Sequence, residues 1–450
     1  MAVMSTFTGS PDSLCVPRAA ARLATRTEAP RGALVAYGAG AIWGLSSFAG
    51  VFFSTPLPGI YFLLTCVSAA CVLLFAFAPI EHAVRLRNVG GTLLLLGVWV
   101  AVGMASAIWH QTDAVDMVAL AGAFREPFVL VSFPALLRLI QSGFANVNRF
   151  VTGLLIAGGG LLVTALATRP MQLLESEEVR LGEQIGLNAN ALGYIGATVA
   201  LVTLSRLLDQ RGRATAVCGD AGLFGISSLT VILTKSRTSL ICLVLGGLYV
   251  LFRAPRSYRK YLTCGAILLL VGMRAEMMVS LSRWEITTGQ HVSTTPLAGR
   301  EDYFQEGWHR FLESPLFGQG FSDESFHSGY LDAAVKTGAL GLGAVLLVLA
   351  MATAKSFRSR LPVHWPQAIL YVGLAQALVE PRILGYGSVS AACLTLSLLL
   401  LVTEDSARGS GPVDNRDSEF VHRWSVSTPC SDSALGTSRD RACRAGRESP

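Results

Sequence analysis

Long apolar runs recur along the chain between about residues 33 and 403, and polar residues or Gly/Pro positions separate them. The runs are roughly 17–24 residues long, the length that a helix needs to cross about 30 Å of hydrocarbon. This pattern predicts an all-α, polytopic transmembrane bundle of about twelve spans. The predicted spans are 33–53, 57–78, 92–109, 115–140, 150–167, 187–207, 216–234, 238–252, 261–279, 338–354, 365–379 and 384–402.

The fourth predicted span, 115–140, is less regular than the others. Arg125, Glu126, Pro127 and Pro134 interrupt it. Proline removes a helical hydrogen bond and charge is costly in lipid, so a kinked or partly re-entrant segment is expected here.

Basic residues occur in every second connection between the predicted spans, whereas the other connections are short or acidic. The positive-inside rule then places both termini in the cytoplasm. The basic connections contain Arg85 and Arg87; Arg138 and Arg149; Arg206, Arg211 and Arg213; Arg253, Arg256, Arg259 and Lys260; and Lys355, Arg358 and Arg360. We therefore predict a cytoplasmic tail over 1–32, a membrane domain over 33–403, and a disordered cytoplasmic tail over 404–450.

Composition supports the membrane assignment. The 450 residues are 52% hydrophobic and 15% charged, which is too apolar for a soluble domain of this length. The net charge of +6 is distributed over short loops, so a nucleic-acid partner is not indicated. None of the nine cysteines has C-x-x-C spacing, and neither a zinc site nor a disulfide framework is predicted. No cofactor is expected.

One long polar connection, 280–337, is predicted to lie on the outer face. Within it, Glu301–Glu313 has amphipathic helical spacing, which is typical of a helix on a membrane surface. Trp284 and Trp308 are interpreted mainly as interfacial anchors. A turn, PLFGQG, and a short polar stretch ending at His327 follow.

Several short motifs occur together in and around this connection. They are Gly299-Arg300, SPLFGQG at 314–320, HSGYL at 327–331, TGALG at 337–341, SRTSL at 236–240, and NANALG at 188–193. In order, spacing and position before a late helix, the set resembles the bacterial O-antigen ligase and O-antigen (exopolysaccharide) polymerase superfamily. The chain departs from the usual pattern at Ser328, where Asn is frequent, and at Lys336, where an acid is common.

The resemblance implies a membrane glycosyltransferase of the bacterial inner membrane. Its partners would be an undecaprenyl-diphosphate-linked oligosaccharide, a glycan or lipid acceptor, the bilayer, and other polysaccharide assembly proteins. The implied catalytic base is His327, whose imidazole titrates near pH 6.5 when unperturbed. Arg300, Arg237 and Arg180 are the implied diphosphate ligands, because a guanidinium donates two hydrogen bonds to phosphate. No metal is expected in the reaction.

Several alternatives stay open at this point. Polymerase and ligase share the same kind of site, and the sequence does not reveal the acceptor. Asp323 and Glu324 are a second candidate for the base, or for a metal site. A polysaccharide transporter or flippase, and a noncatalytic subunit of an envelope assembly complex, are the competing functions. Asp220, inside the seventh predicted span, is expected to face the bundle because charge is costly in lipid.

Overall fold

The computed structural model describes residues 30–51, 89–110, 128–141, 144–168, 181, 188–209, 214–253, 301–321, 326–359, 361, 363–378, 380 and 389–408. This part of the chain is all-helical, which confirms the predicted fold class. Its helices are α1 (Pro30–Val51), α2 (Val89–His110), α3 (Phe128–Gln141), α4 (Phe144–Ala167), α5 (Ala189–Asp209), α6 (Ala214–Leu233), α7 (Arg237–Arg253), α8 (Glu301–Glu313), α9 (Gly329–Arg358), α10 (Trp365–Gln376) and α11 (Val389–Arg408).

Five of the described helices are long and apolar enough to cross a bilayer. They are Val89–Trp109, Ala145–Ala167, Ala189–Leu208, Ala216–Leu233 and Gly329–Arg358. Two shorter apolar helices, Ala33–Leu45 and Val389–Glu404, accompany them. The chain is a multi-pass membrane protein, and the count of twelve spans stays a prediction because 57–78 and 261–279 lie outside the described residues.

The fourth predicted span is described only from Phe128 onwards, as α3. Pro134 lies inside this helix and is exposed. Arg125, Glu126 and Pro127 lie outside the described residues, so the predicted re-entrant character is not tested.

Small residues allow α1 and α4 to approach closely. A Cβ atom at Gly40 would lie 2.0 Å from the Phe150 carbonyl oxygen, and one at Gly44 would lie 2.5 Å from the Ala157 Cβ atom. The Trp43 and Phe150 rings meet edge to face, with centroids 5.7 Å apart. Close backbone contact of this kind supplies the dispersion that holds membrane helices together.

Hydrogen bonds between helix termini define two ends of the bundle. At the first end, which we call the basic end, the starts of α4, α6 and α10 meet the ends of α5, α7, α9 and α11. Lys355 Nζ of α9 donates to the Val402 carbonyl of α11 at 2.9 Å, and the backbone N–H of His364 donates to Ser205 Oγ of α5 at 3.3 Å. The other end, the motif end, gathers the starts of α5, α7, α9 and α11.

A buried ion pair closes the basic end. Arg206 Nε lies 3.2 Å from Asp220 Oδ2, and both side chains are nearly buried. Arg206 also donates to Thr152 Oγ1 at 3.0 Å, so one guanidinium joins α5, α6 and α4. Asp220 thus faces the bundle, as predicted, because a paired carboxylate avoids the cost of isolated burial.

Reporter fusions test the orientation of the bundle. Alkaline phosphatase is expected to be active when fused near residue 290 and inactive near residue 257, because the basic connections should stay in the cytoplasm. A cytoplasmic reporter such as green fluorescent protein fused at the same two positions should give the opposite pattern. Phosphatase activity at 257 and none at 290 would invert the topology and remove the site from the outer face.

Candidate functional site

The motif segments that are far apart in sequence meet at the motif end. A Cβ atom at Gly193, near the start of α5, would lie 2.6 Å from Ser239 Oγ at the start of α7. Ser390 Oγ, at the start of α11, donates to the Tyr194 carbonyl at 3.2 Å. The Gly329 N–H, at the start of α9, donates to the Ala377 carbonyl just after α10 at 2.8 Å. The bundle therefore places the NANALG, SRTSL and HSGYL segments at one end.

The start of α9 differs from the prediction. The sequence predicted a span beginning at Gly338, but the helix begins nine residues earlier, at Gly329, and is interrupted at Gly338, where φ is 64°. Gly338 is the point at which the helical hydrogen bonding is broken. The helix therefore includes Gly329-Tyr330-Leu331 of the HSGYL motif and the residues up to the predicted start, and Gly338 marks an internal break.

The SPLFGQG turn fills this break by exchanging backbone hydrogen bonds with it. In a regular helix the Ala339 and Leu340 N–H groups would donate to the Val335 and Lys336 carbonyls. Here Ala339 N donates to the Pro315 carbonyl at 2.8 Å and Leu340 N to the Leu316 carbonyl at 3.3 Å. The two vacated carbonyls accept from Gln319 N at 2.7 Å and Gly320 N at 2.9 Å. The two N–H groups and the two carbonyls therefore all keep a backbone partner, as buried polar groups require.

Three glycines in the left-handed region make this exchange possible. They are Gly318 (φ 72°), Gly320 (φ 92°) and Gly338 (φ 64°). A Cβ atom would lie 2.5 Å from Gly338 N if built on Gly318, and 2.3 Å from Ala107 Cα if built on Gly320. Two separate sequence motifs, SPLFGQG and TGALG, thus form one interlocked structure.

Substitution of Gly338 tests whether the exchange of hydrogen bonds between the SPLFGQG turn and α9 stabilises the protein. A Cβ atom there would lie 2.2 Å from the Leu316 carbonyl carbon, and the positive φ adds strain of about 1–3 kcal/mol. Gly338→Ala should lower the melting temperature of the purified protein measurably. Gly343→Ala is the matched control, because a Cβ atom at Gly343 meets nothing within 4 Å on the same helix. Equal melting temperatures for the two variants would contradict a stabilising role for this exchange of hydrogen bonds.

The turn is also held by α2. Ser106 Oγ donates to the Gly318 carbonyl, and the Phe321 ring packs edge to face on Trp99 with centroids 5.7 Å apart. Gly103 leaves the space that this ring occupies, since a Cβ atom there would lie 2.4 Å from Phe321 Cε2. The turn is therefore held by contacts with both α9 and α2.

His327 lies between this turn and the first residue of α9. It is half-buried and has a left-handed backbone with φ 55°, a conformation that histidine adopts more readily than most residues. Its ring meets the Tyr303 ring of α8 edge to face, with centroids 4.8 Å apart. Ser328 then caps α9 by accepting from the Leu331 N–H at 3.4 Å. The imidazole is thus held at the surface of the motif end.

A buried carboxylate fixes the backbone just before His327. Asp332 is 3% exposed, and its Oδ1 accepts from the Phe326 N–H at 2.7 Å. The Arg310 guanidinium of α8 lies over the Phe326 ring, 5.7 Å from its centroid. Both contacts restrain the loop, so Asp332 acts on the position of His327 through the backbone.

Arg237 is the first residue of α7 and is exposed at the motif end. The preceding Lys235 has a left-handed backbone, φ 51°, which turns the chain between α6 and α7. The Ser236 hydroxyl caps α7 by accepting from the Ser239 N–H at 3.4 Å. A guanidinium at this position can reach an anionic ligand at the helix N-terminus, where the backbone also favours negative charge.

Two buried polar residues at this end were not predicted from the sequence. Tyr194 is 7% exposed and Glu380 is 8% exposed. The Tyr194 hydroxyl lies beside the Glu380 carboxylate and the Thr238 hydroxyl, next to Arg237 in sequence. Glu380 had a sequence signal, because it is an isolated acid between two apolar spans, and such residues commonly mark functional sites.

Several predicted site residues lie outside the described residues. Arg180 and Arg300 are among them, as are Asp323 and Glu324. Their sequence neighbours are described: the Leu181 N–H donates to the Leu233 carbonyl at the end of α6, at 3.1 Å, and Glu301 begins α8. Within the described part of the chain, His, Cys, Asp and Glu form no group of three or more that could hold a metal ion.

These features define a multi-pass helical membrane protein with a polar site, bearing histidine and arginine, at one end of the bundle. Residues 222–346 match the family model described as O-antigen ligase. The match confirms the resemblance to the O-antigen ligase and polymerase superfamily and supports an O-antigen ligase-type function in membrane glycan processing. The matched range includes Arg237, His327 and the interlocked turn. No curated protein matches the chain.

Proposed function

We propose that the protein is a glycosyltransferase that moves a glycan from undecaprenyl diphosphate to an acceptor hydroxyl at the periplasmic face of the inner membrane. One observation carries the proposal: His327 is held on a restrained left-handed loop at the same end of the bundle as the exposed Arg237. The family match over 222–346 supports it, because both residues lie within that range.

In the proposed reaction, an imidazole nitrogen of His327 takes the proton of the acceptor hydroxyl. The hydroxyl oxygen forms a bond to the anomeric carbon of the donor glycan as the bond to the diphosphate oxygen breaks. The electron pair leaves with undecaprenyl diphosphate. Arg237, together with Arg300 and Arg180, is proposed to bind the diphosphate and stabilise the charge that develops on it.

Reconstituted transfer tests this function. The purified full chain is incubated in lipid nanodiscs with undecaprenyl-diphosphate oligosaccharide alone. A ladder of longer lipid-linked glycans would identify a polymerase, whereas a single transfer that requires an added lipid acceptor would identify a ligase. If neither product forms with any acceptor, the transferase proposal is wrong, and the transporter and assembly-subunit functions take its place.

Chelation tests metal independence. Three arginine side chains can neutralise a diphosphate without a metal ion. Transfer should therefore continue in EDTA at the rate of the untreated protein. The control adds Mg²⁺ or Mn²⁺ back after chelation and should leave the rate unchanged. Loss of activity in EDTA and its recovery with either ion would instead indicate a metal site and direct attention to Asp302, Asp323 and Glu324.

A further inference from the structure

One face of α8 packs closely on the segment that carries His327. Gly307, which is buried on this face, allows the approach, since a Cβ atom there would lie 2.8 Å from Phe326 Cγ and 2.7 Å from Leu331 Cδ2. Three residues later in α8, the Arg310 guanidinium lies over the Phe326 ring, 5.7 Å from its centroid. Helix α8 therefore contacts residues on both sides of His327.

The end of α8 is fixed as well. Gln319 Nε2, in the SPLFGQG turn, donates to the Arg310 carbonyl at 3.2 Å and to Glu313 Oε2 at 2.6 Å. The turn itself exchanges backbone hydrogen bonds with α9 and accepts one from Ser106 of α2. Because these bonds join the end of α8 to two long helices, α8 has a defined position relative to the His327 segment.

Tyr303 lies on the same face of α8, four residues before Gly307. Its ring meets the His327 ring edge to face, with centroids 4.8 Å apart and an angle of 74° between the planes. Rings in this geometry attract each other beyond the effect of area burial. The hydrogen bond from the Phe326 N–H to Asp332 fixes the backbone before His327, but the ring torsion of a histidine is broad. The contact with Tyr303 favours one rotation of the imidazole.

The rotation of the imidazole matters for a general base. A ring nitrogen takes a proton only from a hydroxyl within hydrogen-bond reach, about 2.6–3.2 Å. Rotation of the ring moves its nitrogens away from such a hydroxyl, while the backbone of His327 stays in place. The Tyr303 side chain is 46% exposed, so its truncation removes a ring contact and leaves the core of the bundle intact.

We propose that Tyr303 is a positioning residue for His327, and that the docking of α8 holds Tyr303 in place for this role. The Tyr303 ring keeps the imidazole in the rotation that accepts the proton of the acceptor hydroxyl. The aromatic ring performs this role, and the phenolic hydroxyl does not. The role rests on the proposed transferase function, in which His327 is the base.

Transfer kinetics in lipid nanodiscs test this role. Tyr303→Leu should lower kcat by roughly 3- to 10-fold, the range expected for loss of one ring pair, with KM for the lipid-linked donor unchanged. Tyr303→Phe keeps the ring and should keep kcat. Phe317→Leu is the matched control, because it removes another exposed ring at the same end, and it should also keep kcat. Normal kcat in Tyr303→Leu, or an equal loss in either other variant, would overturn the proposal.

A double substitution separates positioning from direct contact with the substrate. Tyr303→Leu should cause no further loss of residual transfer when it is added to His327→Asn, because the imidazole that Tyr303 positions is already absent. A further loss in the double variant would show that the Tyr303 ring contacts the substrate itself and would overturn the positioning role.

Carbethoxylation of histidine by diethyl pyrocarbonate tests the contact without an assay of transfer. Mass spectrometry of the purified full chain should show that His327 reacts several-fold faster in Tyr303→Leu, whereas the exposed His309 of α8 reacts equally in both proteins. An unchanged rate at His327 would overturn the proposal. Faster reaction at His327, together with no transfer by the unsubstituted protein, would instead refute the transferase function and leave the contact standing.

Discussion

His327→Ala is expected to lower the rate of glycan transfer by on the order of 10²-fold or more, because general-base catalysis contributes about 10²–10⁴-fold. The loss should appear in kcat, since proton transfer occurs in the transition state, with little change in KM for the lipid-linked donor. The variant should reach the membrane at normal levels. Its residual activity should also follow a different pH profile, because the titrating group has been removed.

The left-handed backbone at His327 requires a control for conformation. Alanine tolerates φ 55° poorly, so the alanine variant alone would mix strain with lost chemistry. Asparagine tolerates this conformation, and His327→Asn should be as inactive as His327→Ala while melting at the temperature of the unmodified protein. His309→Ala, on the exposed surface of α8, is the matched histidine control and should retain activity.

Two outcomes would refute the assignment of His327. If His327→Asn retains near-normal transfer while Asp323→Ala or Glu324→Ala abolishes it, the base is a carboxylate. If none of these substitutions matters, the loop is not the active site and the transferase function should be abandoned.

Arg237→Lys is expected to reduce kcat/KM by about 10- to 10²-fold, although the positive charge is kept. Hydrogen bonds to charged groups contribute about 1.5–3 kcal/mol, and each 1.4 kcal/mol corresponds to a factor of about ten. Lysine loses the planar fork that binds two phosphate oxygens at once. Arg300→Lys should show the same defect if both residues bind the diphosphate.

The control for Arg237 lies two residues earlier. Lys235→Asn removes a neighbouring exposed charge and keeps a residue type that accepts φ 51°. It should transfer glycan at nearly the normal rate if the role of Arg237 is specific. An equal loss in Lys235→Asn and Arg237→Lys would indicate that only the general positive charge at this end matters, and would remove Arg237 from the diphosphate site.

Local patterns in the sequence were sufficient for the helices themselves. The amphipathic spacing of Phe304, Trp308 and Phe311 predicted a helix over Glu301–Glu313, and α8 has these bounds. Every span predicted from an apolar run that overlaps the described residues contains a helix. Hydrophobic periodicity and span length are properties of contiguous residues. They can therefore be recognised in the sequence without knowledge of which other helices pack nearby.

The start of α9 could not be predicted in this way. Gly338 was interpreted as the first residue of a span, because the long apolar run begins there. The helix continues through this region because the Pro315 and Leu316 carbonyls and the Gln319 and Gly320 N–H groups replace its missing bonds. Those partners lie about twenty residues away in sequence, and their role becomes visible only when the turn is docked.

The sequence by itself determined the all-α membrane class, the motif positions, and His327 and Arg237 as candidates for chemistry. The tertiary structure decided how those elements meet. It paired Asp220 with Arg206 at 3.2 Å, and it placed Tyr194 beside Glu380, a residue more than 180 positions later. Pairs of this kind depend on the relative placement of whole helices, which packing contacts fix and local sequence patterns do not encode.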